Sequence, residues 1–274
     1  MKIGIRLHDA KELPLPERLD EIRSQGFTCA HVALPRVISS VDNGTLTPGF
    51  AMYLRRLFWK KKIDFAVLGS YHNLTSPDPE ALKATQDIYR ANIRFAAHLG
   101  CGVVGTETPN AEYESGPACK SDEAFAKFIK GFEPVVGYAE AMGVIVAVEP
   151  VAWHIVYDSK RAVKLLDHFN SPNLQIILDP VNMLDMENYQ NQADVLKEAI
   201  ELLGSATAVV HIKDFIVKDG GLLSLAAGLG QMDYEPLIAY VKKHKPYIHA
   251  TLEDTNPDNA VAARKYIQEL WDKC

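Results

Sequence analysis

Eight short apolar runs, each followed by a stretch of helical periodicity, constrain the fold of this chain more than any other feature. The runs fall at 2–7, 28–34, 63–69, 102–107, 144–150, 174–179, 206–213 and 247–253 and are rich in Val, Ile and Ala. A strand whose sheet is covered by helices on both faces loses its polar alternation, so such runs point to buried parallel strands. Between them, Ala81, Ala84, Ile88, Ala91, Phe95 and Leu99 step by three and four residues, the spacing of one helix face. Ser76-Pro77-Asp78-Pro79 gives that helix a start and Gly100 a stop. Phe125, Phe128, Ile129, Phe132, Val136 and Ala139 repeat the pattern up to Gly143, and Ala260, Ala263, Ile267 and Leu270 make a closing helix after Asn256-Pro257. Weaker helical signals fill 11–25, 48–61, 159–169, 187–203 and 234–244. Eight strand–helix rounds in 274 residues fit one closed α/β barrel, (β/α)8, better than an open doubly wound sheet. No Pro/Gly/Ser-rich linker or shift in composition divides the chain, so residues 1–274 are expected to form a single domain.

Composition narrows the function classes. A formal charge of -6 argues against a nucleic-acid partner, because such binding rests on Lys and Arg neutralising phosphates. No run of eighteen apolar residues is present to span a membrane, and the strand-like opening Met1-Lys2-Ile3-Gly4-Ile5-Arg6 does not read as a secretory signal. Cys29, Cys101, Cys119 and Cys274 are scattered, which favours reduced thiols in a cytoplasmic protein.

In a barrel of this kind chemistry collects at the C-terminal ends of the strands. The fifth run ends Val148-Glu149-Pro150, the sixth Leu178-Asp179-Pro180, the seventh His211-Ile212-Lys213-Asp214 and the eighth Leu252-Glu253-Asp254. Consecutive strands lie about 5 Å apart, so four acceptor side chains converge on one half of the barrel mouth. Three carboxylates packed together repel unless a cation or shared protons compensate them. Three oxygen donors and one imidazole suit a single divalent ion such as Mn²⁺, Mg²⁺, Co²⁺ or Zn²⁺, and no thiolate cluster suggests structural zinc.

These residues resemble the xylose isomerase-like TIM barrel superfamily, the sugar phosphate isomerases and epimerases, from Arg6-Leu7-His8-Asp9 through to Glu253. Val103-Val104-Gly105-Thr106-Glu107-Thr108, Val148-Glu149-Pro150, Leu178-Asp179-Pro180-Val181-Asn182, His211-Ile212-Lys213-Asp214 and Gly228-Leu229-Gly230-Gln231-Met232-Asp233 carry the likeness. The resemblance implies that Glu149, Asp179, His211 and Glu253 are the metal ligands, with Glu149 and Glu253 as the catalytic acid/base pair facing each other across the ion. A metal that chelates a ketose carbonyl and its neighbouring hydroxyl acidifies the C–H between them, and two carboxylates then remove and return the proton. The chain departs from the pattern in places. Asn182 stands where members with several metals carry His, Ile155 where ketose 3-epimerases carry a second Glu, and Leu229 where the Gly-x-Gly loop usually has an acidic residue. The DNA-repair nucleases of the superfamily have a D-x-H motif and a fourth-strand His where this chain has Leu229-Gly230-Gln231 and Thr106-Glu107-Thr108.

Around the mouth, His8, His72, Glu107, His154, Asn182 and Lys213 are candidate substrate contacts, with Trp153 as a wall and His249, deeper in its strand, as structural. The expected activity is isomerisation or epimerisation of a small polyhydroxy substrate: a sugar, sugar phosphate or inositol derivative. Dehydration of a keto-polyol such as an inosose is the alternative, and an endonuclease IV-like repair activity the weakest. Barrels of the family often form dimers or tetramers, and the sequence leaves the oligomeric state open.

Overall fold

The computed structural model describes residues 1–108 and 118–274. Its strands and helices, in chain order, are β1 (Lys2–Arg6), α1 (Leu15–Ser24), β2 (Cys29–Val32), α2 (Leu34–Val37), α3 (Pro48–Lys61), β3 (Asp64–Gly69), α4 (Pro79–Leu99), β4 (Val103–Thr106), α5 (Asp122–Met142), β5 (Ile145–Val148), α6 (Ser159–Phe169), β6 (Leu174–Leu178), α7 (Gln192–Leu203), β7 (Thr207–Ile212), β8 (Asp214–Lys218), β9 (Gly221–Leu225), α8 (Glu235–His244), β10 (His249–Leu252) and α9 (Ala260–Lys273). Eight strands close a parallel ring in the order β1-β10-β7-β6-β5-β4-β3-β2, and β8 and β9 form a separate hairpin. This is a single (β/α)8 barrel, and its eight strands occupy the eight apolar runs.

The helices follow their signals. Asp78 caps α4 by accepting from the Glu80 N–H at 3.0 Å, Ser121 caps α5 through the Ala124 N–H, and Asp158 caps α6 through the Arg161 N–H. Such caps satisfy N–H groups that the first turn leaves orphaned. The apolar helix faces bury Phe95, Phe128, Phe132 and Ile267 against the outside of the ring. Inside it, Cys29, Ala66, Val67, Ala147, Ile177 and Val209 fill a second apolar cluster, so the barrel has a packed interior and no pore.

Two features lie outside the eightfold pattern. The β8–β9 hairpin follows β7 directly, turning at Asp219 and Gly220, both at positive φ. Asp214 at its base accepts the N–H groups of Phe215 and Met232 on Oδ1 and of Gly228 on Oδ2. The Gly228–Asp233 loop is thereby anchored by a backbone-binding carboxylate. No helix among the described residues is long and apolar enough to cross a membrane.

Candidate metal centre at the barrel mouth

Glu149, Asp179 and Glu253 sit one residue past β5, β6 and β10, and His211 lies within β7. These four strands are consecutive neighbours in the ring. All four side chains are buried, and each offers a ligand atom within 4.8 Å of the others. His211 Nδ1 is 3.0 Å from Glu149 Oε2 and 3.2 Å from Glu253 Oε1, so both glutamates point at the same nitrogen.

The remaining lone pairs show which atoms are spoken for. Asp179 Oδ1 accepts the backbone N–H groups of Val181 and Asn182 at 2.9 and 3.1 Å, while its buried Oδ2 accepts no hydrogen bond and faces the cluster. Asn182 Nδ2 donates to Glu149 Oε1 at 2.6 Å, leaving Oε2 for the site. Lys213 Nζ lies 3.1 Å from Asp179 Oδ2 and 3.4 Å from Glu253 Oε2, and Arg6 Nη1 lies 3.5 Å from Glu253 Oε2. A buried Oδ2 paired only by charge with Lys213, beside two carboxylates and an imidazole whose ligand atoms lie within 4.8 Å of one another, is a set that a divalent ion fits.

The electrostatics follow from crowding. Burial favours neutral Asp179, and repulsion from Glu149 and Glu253 adds to that; against the pull of Lys213 the net push is up to about 6. Burial alone would lower His211, but the Glu253 and Glu149 carboxylates raise it to about 9, so without a metal it carries a proton. Burial opposes ionisation of Glu253, yet the charges of His211, Lys213 and Arg6 hold its carboxyl far below the usual range. Imidazolium and ammonium thus supply the positive charge that the three carboxylates demand.

Above the cluster opens a polar cavity of about 330 Å³, reached by Arg6, His8, Glu107, His154, Asn182 and Lys213. His154 Nδ1 lies 3.6 Å from Glu107 Oε2 across it. Burial, then the Glu149 and Glu253 charges, pushes Glu107 up to about 8, and burial lowers His154 to about 4. Both are therefore neutral at neutral pH. His8, lowered to about 4 by burial and by Arg6 and Arg36, accepts from Arg36 Nη1 at 3.2 Å. Trp153, 44% exposed, stands at the rim.

Of the residues singled out in the sequence, all but His72 and His249 gather at this cavity or the cluster beneath it. His72 lines an adjoining cavity on the β2–β3 side, and His249 sits at the opposite end of β10 with Nε2 3.5 Å from Asp64. Asn182 binds Glu149 directly while also lining the cavity. Lys213 is paired inside the ligand cluster. Sequence reasoning missed His31, which stacks on His211 with ring centroids 5.1 Å apart and places Nδ1 3.9 Å from Glu253 Oε1. Its signal was present: a lone polar residue in the apolar run Cys29-Ala30-His31-Val32-Ala33. Arg36 and Tyr71, both cavity-lining, carried no such mark.

Fold and site together define a (β/α)8 barrel with a candidate metal-binding cluster at the C-terminal ends of its strands. The family model of the xylose isomerase-like TIM barrel matches residues 19–270, and the chain belongs to that family. L-ribulose-5-phosphate 3-epimerase UlaE of Salmonella paratyphi C (strain RKS4594) is 26% identical over 201 residues, which cover 71% of this chain and 66%, just under two thirds, of that protein. The UlaE of Escherichia coli O1:K1 / APEC is 25% identical over 252 residues, 90% of this chain and 77% of that one. Among solved structures, a D-tagatose 3-epimerase-like protein superposes with a TM-score of 0.77 at 19% identity, covering 100% and 98% of the two chains. The probable 3-DHS dehydratase AsbF of Bacillus anthracis gives 0.76 at 14%, covering 99% of each. The IolI protein with a bound zinc gives 0.75 at 17%, covering 100% and 99%. At these identities the superpositions speak for the fold.

Proposed function

We propose that residues 1–274 form one catalytic domain, a cytoplasmic, divalent-metal-dependent isomerase or epimerase that moves a proton on the carbon next to the carbonyl of a small sugar or sugar phosphate. The observation that carries this reading is the convergence of Glu149, Asp179, His211 and Glu253, two of them glutamates, on one point. The epimerase activity named for the UlaE relatives agrees with it.

These four side chains would hold the ion. Bound there, it would polarise the substrate carbonyl as a Lewis acid and make the adjacent C–H acidic. Glu253, held ionised by His211, Lys213 and Arg6, is suited to accept that proton. Glu149, oriented by Asn182, is the partner that returns one from the other side. His8, Glu107, His154, Asn182 and Lys213 are the proposed contacts to substrate oxygens, with His72 reaching any part that extends toward β2 and β3. The net charge of -6 and the non-nuclease motifs support a small-molecule substrate and no nucleic acid.

Dehydration of a keto-polyol is the second reading, favoured by one observation. Glu107, pushed up to about 8, is a protonated acid facing the cavity, the group needed to protonate a departing hydroxyl.

Elemental analysis of the purified protein tests the site. About one divalent metal per chain, lost in His211→Ala, supports the assignment; none taken up at ~1 mM added Mn²⁺, far above working metal-site affinities, sinks it. Proton exchange into ketoses in D₂O then separates the chemistries, because epimerisation labels the sugar and returns it whole, whereas dehydration loses water.

A further inference from the structure

His31 lies against the four candidate ligands, and a four-residue centre gives it no task. It belongs to β2, separated from β10 in the ring by β1 alone. Cys29 fills the barrel interior, and a residue two further along a strand faces the same way. The His31 imidazole therefore projects inward one layer nearer the mouth, where it lines the polar cavity. The local backbone is adapted to this ring. The register of β2 against β3 shifts between Ala30, which pairs with Phe65, and His31, which pairs with Val67; such irregularities re-aim side chains beside functional sites. Gly69, at the end of β3, leaves the ring its room: a Cβ there would stand 2.6 Å from His31 Nε2 and 2.8 Å from Tyr71 Cε2.

The two ring nitrogens differ in what they meet. Nε2 lies 3.1 Å from the Tyr71 hydroxyl. Nδ1 is buried, has no hydrogen-bond partner and lies 3.9 Å from Glu253 Oε1. That gap is too long for a hydrogen bond. It is, however, the spacing of two ligands on one ion, since donors held at about 2.1 Å stand about 3–4 Å from each other. The separations of His211 Nδ1 from Glu149 and Glu253, 3.0 and 3.2 Å, fall in the same span. His31, His211 and Glu253 also form a convergent set of their own, each offering a ligand atom within 4.8 Å of the others, and two of its members belong to the quartet. Burial keeps the His31 ring neutral. With its proton on Nε2 and donated to Tyr71 Oη, the ring turns a bare lone pair toward the Glu253 carboxylate. Metal-binding imidazoles are anchored through their other nitrogen in this way, and two buried acceptors facing each other are costly unless a cation lies between them.

We infer that His31 is a fifth protein ligand to the ion, so that the centre consists of two imidazoles and three carboxylates. This inference rests on the metal-dependent reading above and adds a residue to that same site. The second imidazole raises affinity for ions that bind nitrogen well, such as Zn²⁺, more than for ions that prefer oxygen, such as Mn²⁺.

X-ray absorption at the zinc edge, on the full chain loaded with one equivalent of Zn²⁺, counts the imidazoles directly. Two are expected in the parent and one in His31→Phe, which keeps an aromatic ring against His211 while removing both nitrogens. Calorimetric titration supplies the second readout. A residue that only orients a ligand is worth about 10–100-fold in metal affinity, so the Zn²⁺ affinity of His31→Phe should fall by more than about 100-fold. The loss for Mn²⁺ should be at least about tenfold smaller. One imidazole in the zinc-loaded parent overturns the inference and leaves the isomerase or epimerase reading standing. An equal loss of affinity for both ions in the variant has the same meaning. Parent protein that takes up neither Zn²⁺ nor Mn²⁺ removes both. The count in the parent decides the matter even if His31→Phe does not fold.

Discussion

Lys213 is the residue whose placement matters most after the four candidate ligands. Its ammonium lies 3.1 Å from Asp179 Oδ2 and 3.4 Å from Glu253 Oε2, within the space where an ion would act. Removing one partner of a buried ion pair strands the other, at a cost of about 3–5 kcal/mol. Lys213→Met should therefore lower the melting temperature of metal-free protein sharply, and saturating Mn²⁺ should restore most of the loss because the ion replaces the missing charge. A loss of equal size with and without metal would show that Lys213 does not share the cluster's charge balance. Asn182 acts by a shorter route. It donates to Glu149 Oε1 and turns Oε2 toward His211. Residues that orient ligands are worth about 10–100-fold in metal affinity, so Asn182→Ala should weaken metal binding by that factor in a calorimetric titration while the fold persists.

At the scale of elements, the close contact of α5 with the segment after β3 makes a sharp prediction. A Cβ on Gly131 would stand 1.8 Å from the Leu74 carbonyl oxygen, a backbone atom that cannot swing aside. Gly131→Ala should destabilise the protein by about 1–3 kcal/mol or more, read as a lower urea midpoint with unchanged slope. The elements also show what a sequence can and cannot reveal. Helices α3 and α6 fall on 48–61 and 159–169, where capping residues and αL stops coincide with the apolar stripe. The β8–β9 hairpin was not foreseen, although Phe215-Ile216-Val217 followed by Asp219-Gly220 carries the signal of a type I′ turn. The eightfold count had already assigned the apolar residues before it, and the anchoring of Asp214 to Gly228 and Met232 is long-range. The convergence of Glu149, Asp179, His211 and Glu253 was legible because charged groups ending apolar runs are costly to bury. His72 and Arg36 were not legible in this way: loop and rim side chains take their direction from tertiary packing, which placed His72 in the adjoining cavity on the β2–β3 side and Arg36 between the two cavities.

For the molecule as a whole, the neutral histidines make stability depend on pH. Burial, first, lowers His154 and His8 to about 4, below the ordinary 6.5. The unfolded chain then binds protons that the folded one refuses, so the stability these groups contribute is complete above pH 6.5 and drains away as pH falls toward 4. Glu107 and Asp179, whose carboxyls are pushed up to about 8 and about 6, act in the opposite sense over the same window. His154→Gln should therefore make the melting temperature less sensitive to acid than in the parent; an unchanged pH profile would remove His154 from the account. Ring closure has a different kind of consequence. The ribosome delivers the cluster's side chains in the order Glu149, Asp179, His211, Glu253, and the last arrives just past β10, the strand that joins β7 to β1. A nascent chain stalled before that strand has three donors and an open sheet. Under the proposed metal assignment, ion capture and completion of the ring would coincide, and metal supply would act on the final step of maturation, after nearly all of the barrel has been synthesised.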